Sequence, residues 1–462
     1  MIFTGNLGYP RIGKQRELKF ALEKYWNGAI SIDTLRNTAL AVQEEKVRIH
    51  QHFDLDFIPS GDFSFYDHVL DHTIMLNAIP PRFQGLSFQN PEDLLFTMAR
   101  GGIGKNGELI PAMEMTKWFN TNYHYIVPEI DMHTKFALNA EKLVAEVKHA
   151  RTLGADTRPV ILGPVSYLIL SKSNQDGFDP ISKISELIPI YDELFSVLHQ
   201  NNVEWVQLDE PAIGSDLSKQ EKSAYLQFFS ECSIIEIRPK IMLTAYFSDL
   251  SNNSGLLTKS PFEGLHIDIT ESKDIENIIS SNTQIEMFSF GVISGRNIWQ
   301  SGLEANLVTL KSFADLIPHK DFILSPSCSM LHLPLDKNLE KSLDPSILSW
   351  MAFAEQKLEI LAMLKKAYLQ DPTANEFLDK NKKAIESREA SVLVHTLKDS
   401  QNLSALPEHV FTRKSPFSAR KNIQRNALNL PILPTTTIGS FPQTTEVRKA
   451  RSNFSKGNLS VE

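Results

Sequence analysis

The sequence predicts an α/β protein built on a (β/α)8 barrel, followed by a helical linker and the first strand and helix of a second, truncated barrel. Two observations carry this expectation: apolar, β-rich runs alternate with helical stretches along most of the chain, and the opening of the chain is repeated near its end. Nine runs read as strands: Ile2–Asn6, Leu55–Ser60, Tyr123–Pro128, Pro159–Gly163, Trp205–Asp209, Ile241–Tyr246, Leu265–Ile269, Met287–Gly291 and Phe322–Ser325. Amphipathic stretches such as Lys135–Ala150, Ser185–Gln200 and Leu303–Leu316 separate several of them, as in βαβ units around a parallel sheet. A closed barrel takes eight strands, so one of the nine is an extension or a hairpin. An open doubly wound sheet is the second choice. No Gly-rich dinucleotide fingerprint or Walker sequence follows any strand, which weakens it.

From about Leu339 to Leu393 the pattern turns helical, and a Ser/Pro-punctuated basic connector then runs to Pro434. The expected division is 1–340 for the barrel, 341–430 for a helical extension and linker, and 431–462 for the start of a second barrel. That last step rests on the repeat. NLGYPRIGKQRELKFALEKYWNGAIS, from Asn6, aligns with TIGSFPQTTEVRKARSNFSKGNLS, from Thr437, with three residues gapped. After the gap one offset holds: Glu17 faces Glu446, Lys19 Arg448, Ala21 Ala450, Tyr25 Phe454 and Gly28 Gly457. Strand, proline, helix and terminal glycine recur in order.

Composition bounds the function. The 462 residues carry 42% hydrophobic and 22% charged side chains, an ordinary globular balance. A formal charge of −8 argues against broad nucleic-acid binding, so any anion site is a local basic cluster. No run of about 18 apolar residues could span a membrane, and the start lacks the pattern of a signal peptide. Two cysteines, Cys232 and Cys328, are too few for a disulfide scaffold, so a reducing cytoplasm is expected.

Several segments could carry chemistry. GYPRIGKQRELK places Gly8, Pro10 and Gly13 in a turn after the first strand, with a helix expected near Lys14. Arg16 and Lys19 would share a face of that helix, suited to carboxylates or simply to solvent. Lys117 sits among Trp118, Phe119, Tyr123 and Tyr125, either a ring-binding surface or the edge of an aromatic core. The turn at Ile438, Gly439 and Ser440 could hold an amino acid's carboxylate and ammonium. Asp209-Glu210 at a strand end could be an acid/base pair; the blander reading, preferred here, has Asp209 bonding loops and Glu210 in solvent. His68 and His72, four apart, could pair on a metal, but no third ligand is marked and two surface histidines are expected.

TTTIGSFPQT, RELK after an early Gly-Tyr-Pro-Arg, EMTKWFNTNYHYIVPEI and VQLDEPA resemble cobalamin-independent methionine synthase, over essentially the whole chain from Leu7. That family has two face-to-face barrels descended from one ancestor. It uses zinc, and no cobalamin, to move the methyl of 5-methyltetrahydropteroyltriglutamate onto L-homocysteine, giving L-methionine. The resemblance implies that Arg16, Glu17, Leu18, Lys19 and Lys117 meet the folate polyglutamate, and that Ile438, Gly439 and Ser440 form part of the homocysteine site. Cys328 stands where the family's second barrel supplies a zinc cysteine. The segment matching the other ligands, LTAYFSDL from Leu243, has neither His nor Cys, so this barrel reads as a copy without its metal. The chain by itself is expected to be a monomer without zinc ligands, catalytic residues or activity. Two rival readings remain: another zinc-dependent barrel enzyme, such as a decarboxylase or methylthiol transferase, and a non-catalytic binding module.

Overall fold

The computed structural model describes residues 1–104, 107–394, 406–437, 439 and 443–460. The chain divides into two compact units, Met1–Ser391 and Val392–Glu462. The first contains an eight-stranded parallel, curled sheet: β1 (Ile2–Thr4), β2 (Ile58–Ser60), β3 (Thr157–Leu162), β4 (Trp205–Asp209), β5 (Lys240–Ala245), β6 (Gly264–Asp268), β7 (Met287–Ile293) and β8 (Asp321–Pro326). Their spatial order is β1-β8-β7-β6-β5-β4-β3-β2, with no reversal of the kind an open doubly wound sheet requires. The two end strands also meet, through a parallel bridge between Gly5 and Phe57. There Asn6 N donates to Phe57 O at 3.1 Å and Phe57 N to Thr4 O at 3.0 Å. The ninth expected strand falls outside the sheet, where His124–Ile126 pairs antiparallel with Met115–Lys117 as a hairpin.

Alternation along the strands gives the sheet's inner face two layers. Phe3, Phe57, Trp205, Met242, Met287 and Ile323 form an apolar cluster. On the same face come polar groups bonded across the strands. Arg158 Nη2 donates to Gln207 Oε1 at 3.1 Å and to Asn6 O at 3.3 Å, and His266 Nδ1 lies 3.0 Å from Ser289 Oγ. The outer face belongs to the main core, with Ile161, Val206, Leu208, Leu243 and Leu265 all buried.

The helix expected from Lys135 starts only at Glu141, because 135–140 has no helical turn. Helix Ala354–Tyr368 packs on the outer face through Ile360, Leu361 and Leu364. Its Lys365 reaches Asp56 at 2.7 Å, and Asp56 in turn accepts from Thr4 N at 2.7 Å. In the second unit, helix Thr445–Ser455 is capped by the Thr444 hydroxyl, which accepts from Val447 N at 3.3 Å. The strand expected before it is not formed at residues 435–437; Ile438 and Ser440 lie outside the described residues. The two helices of the sequence repeat end alike. Glu17–Trp26 and Thr445–Ser455 are each followed by a left-handed glycine, Gly28 at φ 71° and Gly457 at φ 72°.

Gly61, after β2, is left-handed (φ 73°), and a Cβ there would collide with Leu143 Cδ1 and lie 3.0 Å from Val160 O. Gly61→Ala should therefore lower unfolding free energy by about 2–4 kcal/mol, combining backbone strain and overpacking. Gly28→Ala, left-handed but facing open space, should cost about 1 kcal/mol. Urea denaturation of both variants checks this; equal losses would deny the packing constraint at Gly61.

Candidate functional site at the carboxyl ends of the strands

The loop leaving β1 is fixed from several sides. Leu7 O accepts from Gln207 Nε2 at 3.0 Å, Tyr9 N donates to Asp62 Oδ2 at 2.9 Å, and Gly8 O accepts from Met330 N at 2.9 Å. Asn6 Nδ2 lies 2.9 Å from His50 Nε2, while His50 Nδ1 is 2.7 Å from Lys46 O. The carbonyl can only accept, so Nδ1 carries the proton and Nε2 accepts from the amide. Burial pushes His50 down to about 4, keeping it neutral.

This loop delivers Arg11 to an aromatic cluster. The Arg11 guanidinium donates to Tyr123 Oη at 3.3 Å and to Tyr66 O, and sits 5.6 Å from the Tyr123 ring centroid. Tyr123 Oη donates to Asp67 Oδ1 at 3.0 Å. The other Asp67 oxygen accepts from Leu70 N at 3.0 Å, capping helix His68–Met75, and from Ile126 N at 2.9 Å, holding the hairpin. Burial raises Asp67 to about 6, against the pull of these donors and Arg11. His68 stacks on Tyr123 (5.5 Å, 26°) and meets Trp118 edge-on at 4.5 Å, with His332 and Phe247 closing the group.

The crevice these side chains enclose with Asp209 and Tyr246 has about 40 Å³ of free volume. Ligand sites run to hundreds of Å³, so the mouth admits a few waters and anything larger must bind on the rim. His68 and His72 are not surface residues. His72 is buried, its Nε2 accepting from Leu162 N at 2.7 Å and its Nδ1 donating to His68 O at 2.8 Å. Both ring nitrogens are thereby committed to the backbone.

The rim residues named from sequence fall as follows. The helix begins at Glu17, not Lys14, because Arg16 is left-handed (φ 61°). Lys14 instead pairs with Glu355 at 2.8 Å. Glu17 folds back so that its carboxylate accepts from Gln15 N at 3.0 Å, into room that exists because residue 13 is glycine. One amide of this turn is therefore engaged from within the chain. Leu18 is buried, Arg16 is exposed, and exposed Lys19 pairs with Glu23 at 3.3 Å. Lys117 is exposed on the hairpin, opposite His124. The Arg11–Tyr123 contact joins the loop of Arg16 to the hairpin of Lys117. No hydrogen bond or ion pair among the described residues links Arg16 or Lys19 to Lys117. Of the homocysteine turn only Gly439 is described, as an open bend; Ile438 and Ser440 lie outside the described residues.

Asp209 and Glu210 part from expectation on one point. Asp209 accepts from Gln207 Nε2 at 2.8 Å and Tyr246 Oη at 2.9 Å, as the blander reading had it. Glu210 does not reach solvent. It is fully buried and accepts from Ser166 N and Tyr225 Oη, each at 2.8 Å, and Val165 N at 3.1 Å. Gly163 makes space for this carboxylate, since a Cβ there would overlap it. Three donors from two places, adjacent amides of helix Pro164–Ile169 and the Tyr225 hydroxyl, tie the helix after β3 and the helix of Tyr225 to the end of β4. That is a structural role, and neighbouring Pro211 gave the sequence no sign of it.

Zinc requires three or four converging donors. Among the described residues no three His, Cys, Asp or Glu side chains converge. Burial holds the Cys328 thiol far above its ordinary range, and Tyr246 occupies the segment that would have to supply partners. The donors present do not fit the metal. Beside Cys328 is a residue that sequence reasoning missed, the fully buried Lys357. It donates to Ser294 O at 2.5 Å, and burial lowers it to about 7.

A curled eight-stranded parallel sheet, with an aromatic cluster beyond the carboxyl ends of its strands, defines an α/β barrel-like protein. Comparison with known proteins gives the family. The description "Cobalamin-independent synthase, N-terminal domain" matches residues 3–318, "Cobalamin-independent synthase, Catalytic domain" matches residues 433–462, and the chain belongs to this family. It is 41% identical over 468 residues to a 5-methyltetrahydropteroyltriglutamate–homocysteine methyltransferase of Flavobacterium johnsoniae, covering 99% of this chain and 60% of the relative. A protein of the same name from Xylella fastidiosa (strain M23) is 42% identical, with 100% and 60% covered. The chain thus spans about 60% of the length of these relatives. A B12-independent methionine synthase from Shewanella sp. W3-18-1, solved with selenomethionine, aligns at 12% identity and TM-score 0.51 over 74% of this chain and 91% of that one, a likeness of fold alone.

Burial raises both Asp209 and Glu210 to about 7. A carboxyl whose folded pKa is raised contributes stability that is complete below its unfolded pKa, about 4, and is lost as pH rises through the folded value. Stability should therefore fall between pH 4.5 and 7.5, and Glu210→Gln or Asp209→Asn should each flatten part of that slope. Urea midpoints across this range test it; an unchanged slope in both variants would refute the linkage.

Proposed function

We propose that this chain is the folate-tail-binding portion of a cobalamin-independent methyltransferase that transfers the methyl of 5-methyltetrahydropteroyltriglutamate to L-homocysteine, giving L-methionine. In this reading residues 1–340 form a closed (β/α)8 barrel, 341–430 a helical extension and linker, and 431–462 the start of a catalytic barrel. Arg16 and Lys19 offer exposed charges to the tail carboxylates, and Lys117 offers another from the hairpin. Leu18 anchors their helix and Glu17 its first turn. Ile438, Gly439 and Ser440 contribute part of a homocysteine site, and the zinc ligands are proposed to lie outside the described residues. The family match over residues 3–318 carries the reading. The sealed mouth supports it, since the folate must then be met at the rim.

Two experiments test this. In calorimetric titrations, Lys19→Ala should weaken triglutamate folate about fivefold, near 1 kcal/mol for an exposed charged contact. Monoglutamate folate should change less than twofold; equal losses would exclude a tail clamp. Arg16→Gly, which preserves the left-handed backbone at φ 61°, should weaken the same ligand without lowering stability. The purified chain alone should form no methionine from folate and homocysteine in the presence of zinc. Turnover with stoichiometric zinc would place the catalytic centre within these residues.

A further inference from the structure

Helices Ala354–Tyr368 and Asn375–Glu389 enclose a second pocket, of about 540 Å³, which shares no lining residue with the mouth crevice. This lies within the range of small-molecule sites. Ile360, Phe377 and Ala384 supply its apolar lining; Ile360 belongs to the main core and Phe377 packs against it. Two opposite charges also line it. Lys337 Nζ donates to Met351 O at 2.9 Å and Leu348 O at 3.3 Å, which leaves its third hydrogen unassigned, and among the described residues it has no ion pair. Glu359 is half-buried and has neither a hydrogen bond nor an ion pair among the described residues.

The two are too far apart to pair, yet each senses the other. Burial lowers Lys337 and raises Glu359, while their mutual attraction opposes both shifts. The pocket's other lysines are spent elsewhere, Lys380 on Glu376 at 2.7 Å and Lys383 on Asp379 at 2.6 Å. Gln300 adds a polar end. Its Oε1 accepts from Asn381 Nδ2 at 3.1 Å, so its amide hydrogens remain to donate.

We propose that this pocket binds a small zwitterion, a free α-amino acid with an apolar side chain. The ligand carboxylate meets Lys337 and the Gln300 amide, its ammonium meets Glu359, and its side chain rests on Phe377 and Ile360. A simple anion would leave Glu359 uncompensated and a simple cation would do the same to Lys337. Only a ligand carrying both charges satisfies the two half-buried groups together.

The test is calorimetric titration of L-leucine into the full chain, with N-acetyl-L-leucine (no ammonium) and L-leucinamide (no carboxylate) as comparison ligands. Leucine should bind with Kd on the order of 1 mM or below, and each analogue at least about tenfold more weakly. Glu359→Gln, which removes no hydrogen bond or ion pair among the described residues, should weaken leucine by a similar factor while shifting the melting temperature of the free chain only slightly. Absence of leucine binding overturns the proposal, as does equal binding of the acetylated form. Leucine affinity unaffected by Glu359→Gln also overturns it, by placing the amino acid elsewhere. The analogue series on the unaltered chain decides the matter even if the variant folds poorly.

Discussion

The rim depends on the path of five residues, Gly5 to Tyr9. A three-residue first strand must join β8 along its length and reach β2 at its end, and Gly5 is where it does so. A Cβ at that position would lie 3.0 Å from Ile323 Cγ2 and 3.1 Å from Phe57 Cβ, so the approach of the two end strands demands the smallest residue. Beyond it the backbone crosses onto the polar inner layer. Asn6 O and Leu7 O accept from Arg158 of β3 and Gln207 of β4. A loop with so many independent anchors has little freedom, and what it carries outward is held in register with the sheet.

Near the mouth, too, the polar groups are engaged by the fold. Buried polar groups must find partners, and here they find one another or the backbone. His72 spends both nitrogens, Glu210 collects three donors, and Asp209 is held by Gln207 and Tyr246. Groups committed in this way fix geometry. Arg158 differs, its Nε and Nη1 having no hydrogen-bond partner among the described residues while its guanidinium lies 5.2 Å from the Phe57 ring centroid. Burial lowers it only to about 10, so it remains a cation facing an aromatic surface.

Much of this architecture was legible because it rests on local pattern. All eight sheet strands were marked by β-rich runs bounded by turn residues. The ninth run, Tyr123–Pro128, carries the same signal, and only the strand count separates a hairpin from a sheet member. Helix starts were less legible. Nothing in KQREL announces a left-handed Arg16, since the conformation follows from Glu17 turning back to Gln15 rather than from any turn residue. The fate of Glu210 and His72 was illegible for a related reason. A charged or polar residue at an element's end looks the same in sequence whether its partners are water or protein groups far away along the chain. Lys357 is the extreme case, a lysine in a helical run that reads as solvated and is fully buried.

The internal repeat shows where the two copies of this element have diverged. Over the helix body and its carboxyl end they agree, and both chains leave through a left-handed glycine at nearly the same φ. At the amino end they differ. Thr444 is an extended, hydroxyl-capped start, whereas Arg16 is left-handed with no side-chain cap. Ordinary capping satisfies the first-turn amides from the residue before the helix. In the first copy the first-turn amide of Leu18 donates instead to Ile12 O at 3.1 Å, and Glu17 holds the turn before the helix through Gln15 N, while the Arg16 side chain stands exposed. The cost of a left-handed arginine is thus confined to the amino end, and the helix behind it ends as the second copy does.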